Sequence, residues 1–157
     1  MVVDVLNIVI AGLLMGGIYA LIAMGLNLQY GVARVLNISH GEFIMLGAFV
    51  TWTLYTVFGI NPLVSLVIVG PIIFIIGFIL QRTLFTQLRI KAGSPAAFEG
   101  SALLATFGLL FIVQNVALAI WGGGMRGYSY LNFGVNFWET VFPANRLAAL
   151  LFAAIIG

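Results

Sequence analysis

The sequence predicts an all-α fold, a polytopic transmembrane helix bundle with a broken or re-entrant segment near residues 31–42. Three observations carry this reading. Hydrophobic residues fill 63% of the 157 positions and charged ones 6%, with a mean hydropathy of +1.21, far above the roughly 45–50% apolar content of soluble domains. The apolar residues gather in long runs near the ~20 residues that a helix needs to cross ~30 Å of hydrocarbon. The runs are rich in Leu, Ile, Ala and Gly and lack the strict in/out alternation of barrel strands, so helices, which satisfy their own backbone hydrogen bonds, are the spanning element.

The first predicted span covers about residues 5–28. Gly12 and Gly16 form a GxxxG pair on it, and Gly17 and Ala20 continue the small-residue face; such faces let a second helix approach closely, so these four residues are candidates for helix packing. The N-terminus lacks the basic n-region of a signal peptide, and the apolar run outlasts an h-region, so it reads as a retained span. Asn27, Gln29 and Tyr30 give a polar exit. The second span, about 39–58, begins inside the polar hexapeptide Asn37-Ile38-Ser39-His40-Gly41-Glu42. Glu42 stands three residues after Ser39, as a capping box requires.

Asn61-Pro62 marks a tight turn, and residues 63–80 form the third span, with Gly70-Pro71 expected to kink it. Residues 81–100 are the extended polar segment, a loop carrying Arg82, Arg89 and Lys91. Its basic residues assign it to the cytoplasm by the positive-inside rule. Counting back, the Asn61-Pro62 turn lies outside, the 31–42 segment with Arg34 inside, and the N-terminus outside.

The fourth span, about 101–121, carries Thr106, Gln114 and Asn115. Residues 122–145 are then external. Tyr128, Tyr130, Phe133, Phe137, Trp138 and Phe142 suit them to an interfacial loop or short helix. A fifth apolar run, 146–157, is too short to span and reads as partial, so residues 1–157 read as one transmembrane domain truncated at its C-terminus.

The hexapeptide is the costliest feature of so apolar a chain, because ionisable groups in lipid are expensive and mark paths or sites. One residue separates His40 from Glu42, so on a regular helix they point about 200° apart, and direct pairing needs a bend that Gly41 permits. Asn37, Ser39, His40, Gly41 and Glu42 are therefore candidates for a helix break lining or gating a translocation path. The competing reading is a capped helix end in the headgroups, with Glu42 favoured by the positive helix terminus. Gln114 and Asn115 are candidates for path lining or, more commonly, for bonds between helices.

Several functions find little support. With no cysteine there is neither a disulfide framework nor a thiol nucleophile. The single histidine adjoins Ser39 with diverging side chains, so no catalytic residue is assigned. His40 and Glu42 alone make no metal site, the scattered basic residues make no nucleic-acid footprint, and no Walker motif is present. A secondary carrier or channel, using the break for ion coupling, remains a rival class, and an intramembrane enzyme is a weaker one.

The stretch Gly16-Gly17-Ile18-Tyr19-Ala20-Leu21-Ile22-Ala23-Met24-Gly25, then Gln29-Tyr30-Gly31 and Asn37-Ile38-Ser39-His40-Gly41-Glu42, resembles the N-terminal half of permease subunits of branched-chain amino acid ABC importers, the LivH type. Ala105-Thr106-Phe107-Gly108-Leu109 and Phe111-Ile112-Val113-Gln114-Asn115 are similar to that family's fourth-span pattern. Ile38 and Ser39 depart from the family's usual Asn-Phe-Ala-His-Gly-Glu. The resemblance implies a multi-pass subunit of a bacterial or archaeal cytoplasmic (inner) membrane, paired with a second permease subunit, cytoplasmic ATPase subunits and a periplasmic substrate-binding protein, and embedded in membrane lipid. It implies branched-chain amino acids or related small polar solutes as substrates and no cofactor bound by this chain, ATP being used by the partner subunits. The helix that couples to the ATPase belongs to the half of the family's chain not matched here.

Overall fold

The computed structural model describes residues 2–137 and 140–156. Helix α1 runs Val2–Ala33, α2 His40–Phe58, α3 Pro62–Leu80, α4 Thr86–Lys91, α5 Pro95–Trp121 and α6 Ala144–Ile156. Four stretches are long and apolar enough to cross a membrane: Ile8–Ala33, His40–Phe58, Pro62–Lys91 and Pro95–Trp121. The architecture is thus the helix bundle that composition demands. The chain divides into two compact units, residues 29–128 and, from its two ends, residues 1–28 with 129–157.

Helix ends follow local chemistry. The Asn61 side chain accepts from Leu63 N–H at 2.9 Å and Pro62 opens α3. Ser94 caps α5 by accepting from Ala97 N–H at 3.2 Å, with Pro95 at the first helical position. Both are N-cap residues followed by a proline whose missing N–H needs no partner. At the far end of α2, Gly59 takes a left-handed φ of 66°, the conformation glycine adopts without a Cβ penalty.

Two expectations are corrected. Residues 81–100 are not an extended polar loop. The helix continues from α3 through a π-turn at Gln81–Phe85 into α4, and only residues 92–94 separate α4 from α5. Gln, Arg, Thr and Leu are tolerated in helices, and no glycine or proline intervenes before Gly93. The third candidate span therefore runs to Lys91 rather than to residue 80. Helix α3 also continues through Pro71.

The aromatic stretch expected to be external is neither a plain loop nor a short helix throughout. Gly134–Phe137 (β1) pairs antiparallel with Thr140–Pro143 (β2), Val135 opposite Phe142, a pattern of β-branched and aromatic residues suited to a hairpin. Trp138 lies outside the described residues.

In the 29–128 unit, α5 buries one stripe: Phe98, Ala102, Thr106, Leu109, Val113 and Ala117, spaced by three and four residues as a helix face requires. Val35, Phe85, Phe98 and Ala102 form its core cluster. The segment between α1 and α2 is thereby locked against α5. In the other unit, Gly17 faces Leu150 of α6 so closely that an added Cβ would collide with it.

Candidate functional site

The site is the break at residues 34–39. Arg34 adopts a left-handed φ of 55°, and its N–H reaches Tyr30 O at 2.9 Å, closing α1. A non-glycine residue in that conformation is uncommon; here the Arg89 guanidinium, which donates to the neighbouring Ala33 carbonyl and lies 4.7 Å from the Phe98 ring centre, braces the turn.

Below the turn the polar groups are buried. Asn37 is 6% exposed and Ser39 is fully buried. Asn37 Oδ1 accepts from Ser39 N–H at 3.0 Å and from Ser39 Oγ–H at 2.6 Å. This Asx turn offers the backbone an alternative to the helix, and it explains why α1 does not run straight into α2. The other anchor is distant in sequence. Thr106 Oγ1, also fully buried, accepts from Ile38 N–H at 3.3 Å and lies 3.4 Å from the Leu36 carbonyl and 3.0 Å from that of Leu103. One hydroxyl on α5 thus accepts from the Ile38 N–H of the break and donates back to a nearby carbonyl, tying the irregular segment to that helix.

The expected capping box does not form. Ser39 is the N-cap of α2 but makes no side-chain cap bond: Glu42 N–H donates to the Ser39 backbone carbonyl at 3.0 Å, and the Ser39 N–H that the Glu42 carboxylate would take in the box goes to Asn37. Glu42 is free to turn outward, and its Oε1 accepts from Gln114 Nε2 on α5 at 3.0 Å. His40 and Glu42 therefore part company. Asn115 donates to Phe111 O on its own helix at 2.8 Å. Gly41 is exposed, as are Gly12, Gly16 and Ala20, and a Cβ at Gly12 or Gly16 would meet nothing within 4 Å. Of the small residues on α1, Gly17 makes the close approach to Leu150 within this chain.

Asn37 and His40 line a cavity of about 360 Å³ together with Gln29 from the last turns of α1 and Gln81 from the end of α3. Phe43, Ile44, Ile73, Leu80 and Leu109 supply its apolar wall. Sequence reasoning placed Gln29 in the polar exit of the first span and Thr106 in the fourth, but named neither, nor Gln81, as a site residue. The available signal was their polarity beside or within apolar runs, the same signal that singled out Gln114.

At the opposite end of α2 and α5, the Trp121 indole N–H donates to Thr53 Oγ1 at 2.8 Å and its ring stacks on Phe49 at 5.1 Å. Arg126 lies 4.7 Å above the Trp52 ring, and Tyr128 meets Tyr55 at 5.0 Å. Burial and the neighbouring Tyr55 phenol push the Tyr128 hydroxyl above its ordinary range. Arg34, Arg89 and Glu99 border a separate opening of about 600 Å³ at the end of the break.

Residues 8–156 match the family model described as "Branched-chain amino acid transport system / permease component". Among curated proteins, the chain is 30% identical to the high-affinity branched-chain amino acid transport system permease protein BraD of Pseudomonas aeruginosa, covering 68% of this chain and 36% of that protein. It is 33% identical to the probable branched-chain amino acid transport permease protein LivH of Methanocaldococcus jannaschii, over 61% and 29% respectively. It is 30% identical to the LivH permease protein of Escherichia coli K12, over 66% and 34%. The chain therefore spans about a third of the length of these relatives. No solved structure matches it.

Proposed function

Because this chain belongs to the family of permease components of branched-chain amino acid transport systems, we propose that it forms part of the membrane-spanning path of an ATP-binding-cassette importer for branched-chain amino acids or related small polar solutes. The observation that carries the reading is the break at 34–39. A chain of apolar helices interrupts itself at a buried polar turn held by Asn37, Ser39 and Thr106, and that turn borders a cavity rather than a sealed core. Irregular backbone at such a place is tolerated where it is enclosed by protein or lines a water-filled route.

In this reading residues 1–157 act as one transmembrane permease domain, paired with a second permease subunit. Cytoplasmic ATPase subunits supply the energy and a periplasmic binding protein delivers the solute. The end bearing Arg34, Arg82, Arg89 and Lys91 faces the cytoplasm, by the positive-inside rule, and the end bearing Trp52, Trp121 and Tyr128 faces outward, where aromatic rings favour the interface. Asn37, Ser39, His40, Gly41 and Glu42 line or gate the route, with Gln114 holding Glu42 in place. The chain itself carries out no chemistry on the solute.

Reconstitution tests the class. With the assembled importer in liposomes and the membrane potential collapsed, uptake of labelled leucine is expected to require ATP; uptake that persists without ATP would instead mark a secondary carrier. His40→Ala and Glu42→Gln, compared at matched membrane levels, are expected to lower uptake. Wild-type rates in both variants would remove the hexapeptide from the path.

A further inference from the structure

One buried group in the break is left over. The Asn37 amide orientation is fixed, because its Oδ1 takes the Ser39 backbone N–H, a donor that only the carbonyl end of the amide can accept. Its Nδ2 must then point its two N–H donors elsewhere, and among the described residues they have no acceptor. Asn37 is 94% buried, being 6% exposed, and an unpartnered amide at that depth is costly. Yet it stands in the wall of the 360 Å³ cavity, at the low end of the ~300–1,000 Å³ range of small-molecule sites.

The rest of the lining narrows the occupant. Gln29, His40 and Gln81 are the other polar side chains, none of them hydrogen-bonded through its side chain to another described residue, and no Asp or Glu lines the cavity. The wall therefore offers neutral donors and acceptors and no anion, and the positive end of α2 lies beside it. The remaining surface is aliphatic and aromatic. The amide oxygens of Gln29 and Gln81 can take an ammonium, but the two Asn37 N–H donors call for an acceptor oxygen, and the aliphatic wall for an apolar body that carries it.

We propose that this cavity is a solute-binding chamber in which the Asn37 amide donates to the carboxylate of a small apolar amino acid, with Gln29 and Gln81 closing the polar side. This rests on the importer reading for its biological purpose but not for its chemistry. It adds to that reading a resting place for the solute within the permease, so that delivery passes through a bound state.

The test uses the assembled importer in lipid nanodiscs, with binding protein and nucleotide left out. Saturation-transfer NMR follows three probes: L-leucine, 4-methylpentanoate, which keeps the carboxylate, and 3-methylbutylamine, which lacks it. Leucine and 4-methylpentanoate are expected to bind and the amine not. Gly77 lines the cavity, and an added Cβ there meets nothing within 4 Å. Gly77→Leu should fill the chamber without disturbing the fold and abolish both signals. Gly70→Leu, on the same helix and equally unobstructed but outside the lining, should leave them unchanged. Asn37→Asp keeps the acceptor that Ser39 needs, and Ser39's two donors hold the new carboxylate ionised. It should weaken the carboxylate-bearing probes about tenfold or more and spare or favour the amine.

Binding that survives Gly77→Leu, an amine that binds as well as leucine in the wild type, or no binding at all would overturn the proposal. The importer reading fails separately, by ATP-independent uptake. Binding with this selectivity and no ATP-driven transport would keep the chamber and discard the importer.

Discussion

Two polar segments divide the apolar runs of the 29–128 unit, residues 34–39 between α1 and α2 and residues 81–91 after α3, and their polar groups are satisfied in different ways. In the first, the side chains of Asn37 and Ser39 turn inward and bond each other, and Thr106, some seventy residues away, supplies the partner of Ile38 N–H. In the second, the backbone stays helical and supplies its own bonds, while Gln81, Arg82 and Gln87 remain exposed. Short side chains that compete with the backbone break a helix when they can be buried with a partner; long ones ride on the helix surface and leave it intact. The inward segment borders a cavity, and the outward one, apart from Gln81 and Phe85 at its start, which also line that cavity, charges a surface.

The largest effect that would break this contrast is expected at Asn37. Replacing it with Leu keeps the volume but removes the acceptor of two donors on a fully buried serine. At about 1–3 kcal/mol for each of the two orphaned donors, offset in part by the removal of the unpaired Asn37 Nδ2, the loss should reach about 2–4 kcal/mol. It is read as a lowered thermal-unfolding midpoint in detergent. A midpoint no lower than that of Arg82→Ala would show that the turn does not depend on its internal bonds. Thr106→Val comes next. It is nearly isosteric and leaves Ile38 N–H without its α5 partner, so about 1–2 kcal/mol should be lost by the same assay. If the midpoint is unchanged, the break is held by Asn37 alone and the α5 tether is incidental.

The legible part of this molecule was what local pattern controls. Run lengths placed α2 and the body of α1, α3 and α5, because twenty apolar residues in a row have few other uses. Asn61-Pro62 and its cap were readable for the same reason. The hexapeptide stood out by polarity alone, and Gln114 was among the candidates for a bond between helices. What local pattern could not reach was partner choice. Ser39 and Glu42 have capping-box spacing, but the box loses to Asn37 and Gln114, and the second of these is seventy-two residues from Glu42. The helical course of 81–91 was hidden because charge content, useful for topology, carries little information against helix formation. The cavity was hidden because its polar members come from α1, the break, the start of α2 and the π-turn after α3, places that meet only after folding.

The smallest effect sharpens the contrast at the one residue that belongs to both segments. Arg89 lies on the outward stretch, yet its guanidinium donates to the Ala33 carbonyl and covers Phe98 at 4.7 Å, so it reaches across to the start of the break. Arg82 instead lies 5.4 Å from the Phe78 ring one turn back on its own helix and touches nothing of the inward segment. Both side chains are exposed, which screens their electrostatics. Arg89→Ala should therefore cost only about 1 kcal/mol, and Arg82→Ala about half of that or less. Arg89→Lys separates charge from shape. An ammonium keeps the charge but loses the planar face over Phe98 and the fixed fork toward Ala33, so the lysine variant should melt close to the alanine one. Should it melt with the wild type, the brace on the Arg34 turn is a matter of charge at the end of α1, where a cation beside the last carbonyls suffices.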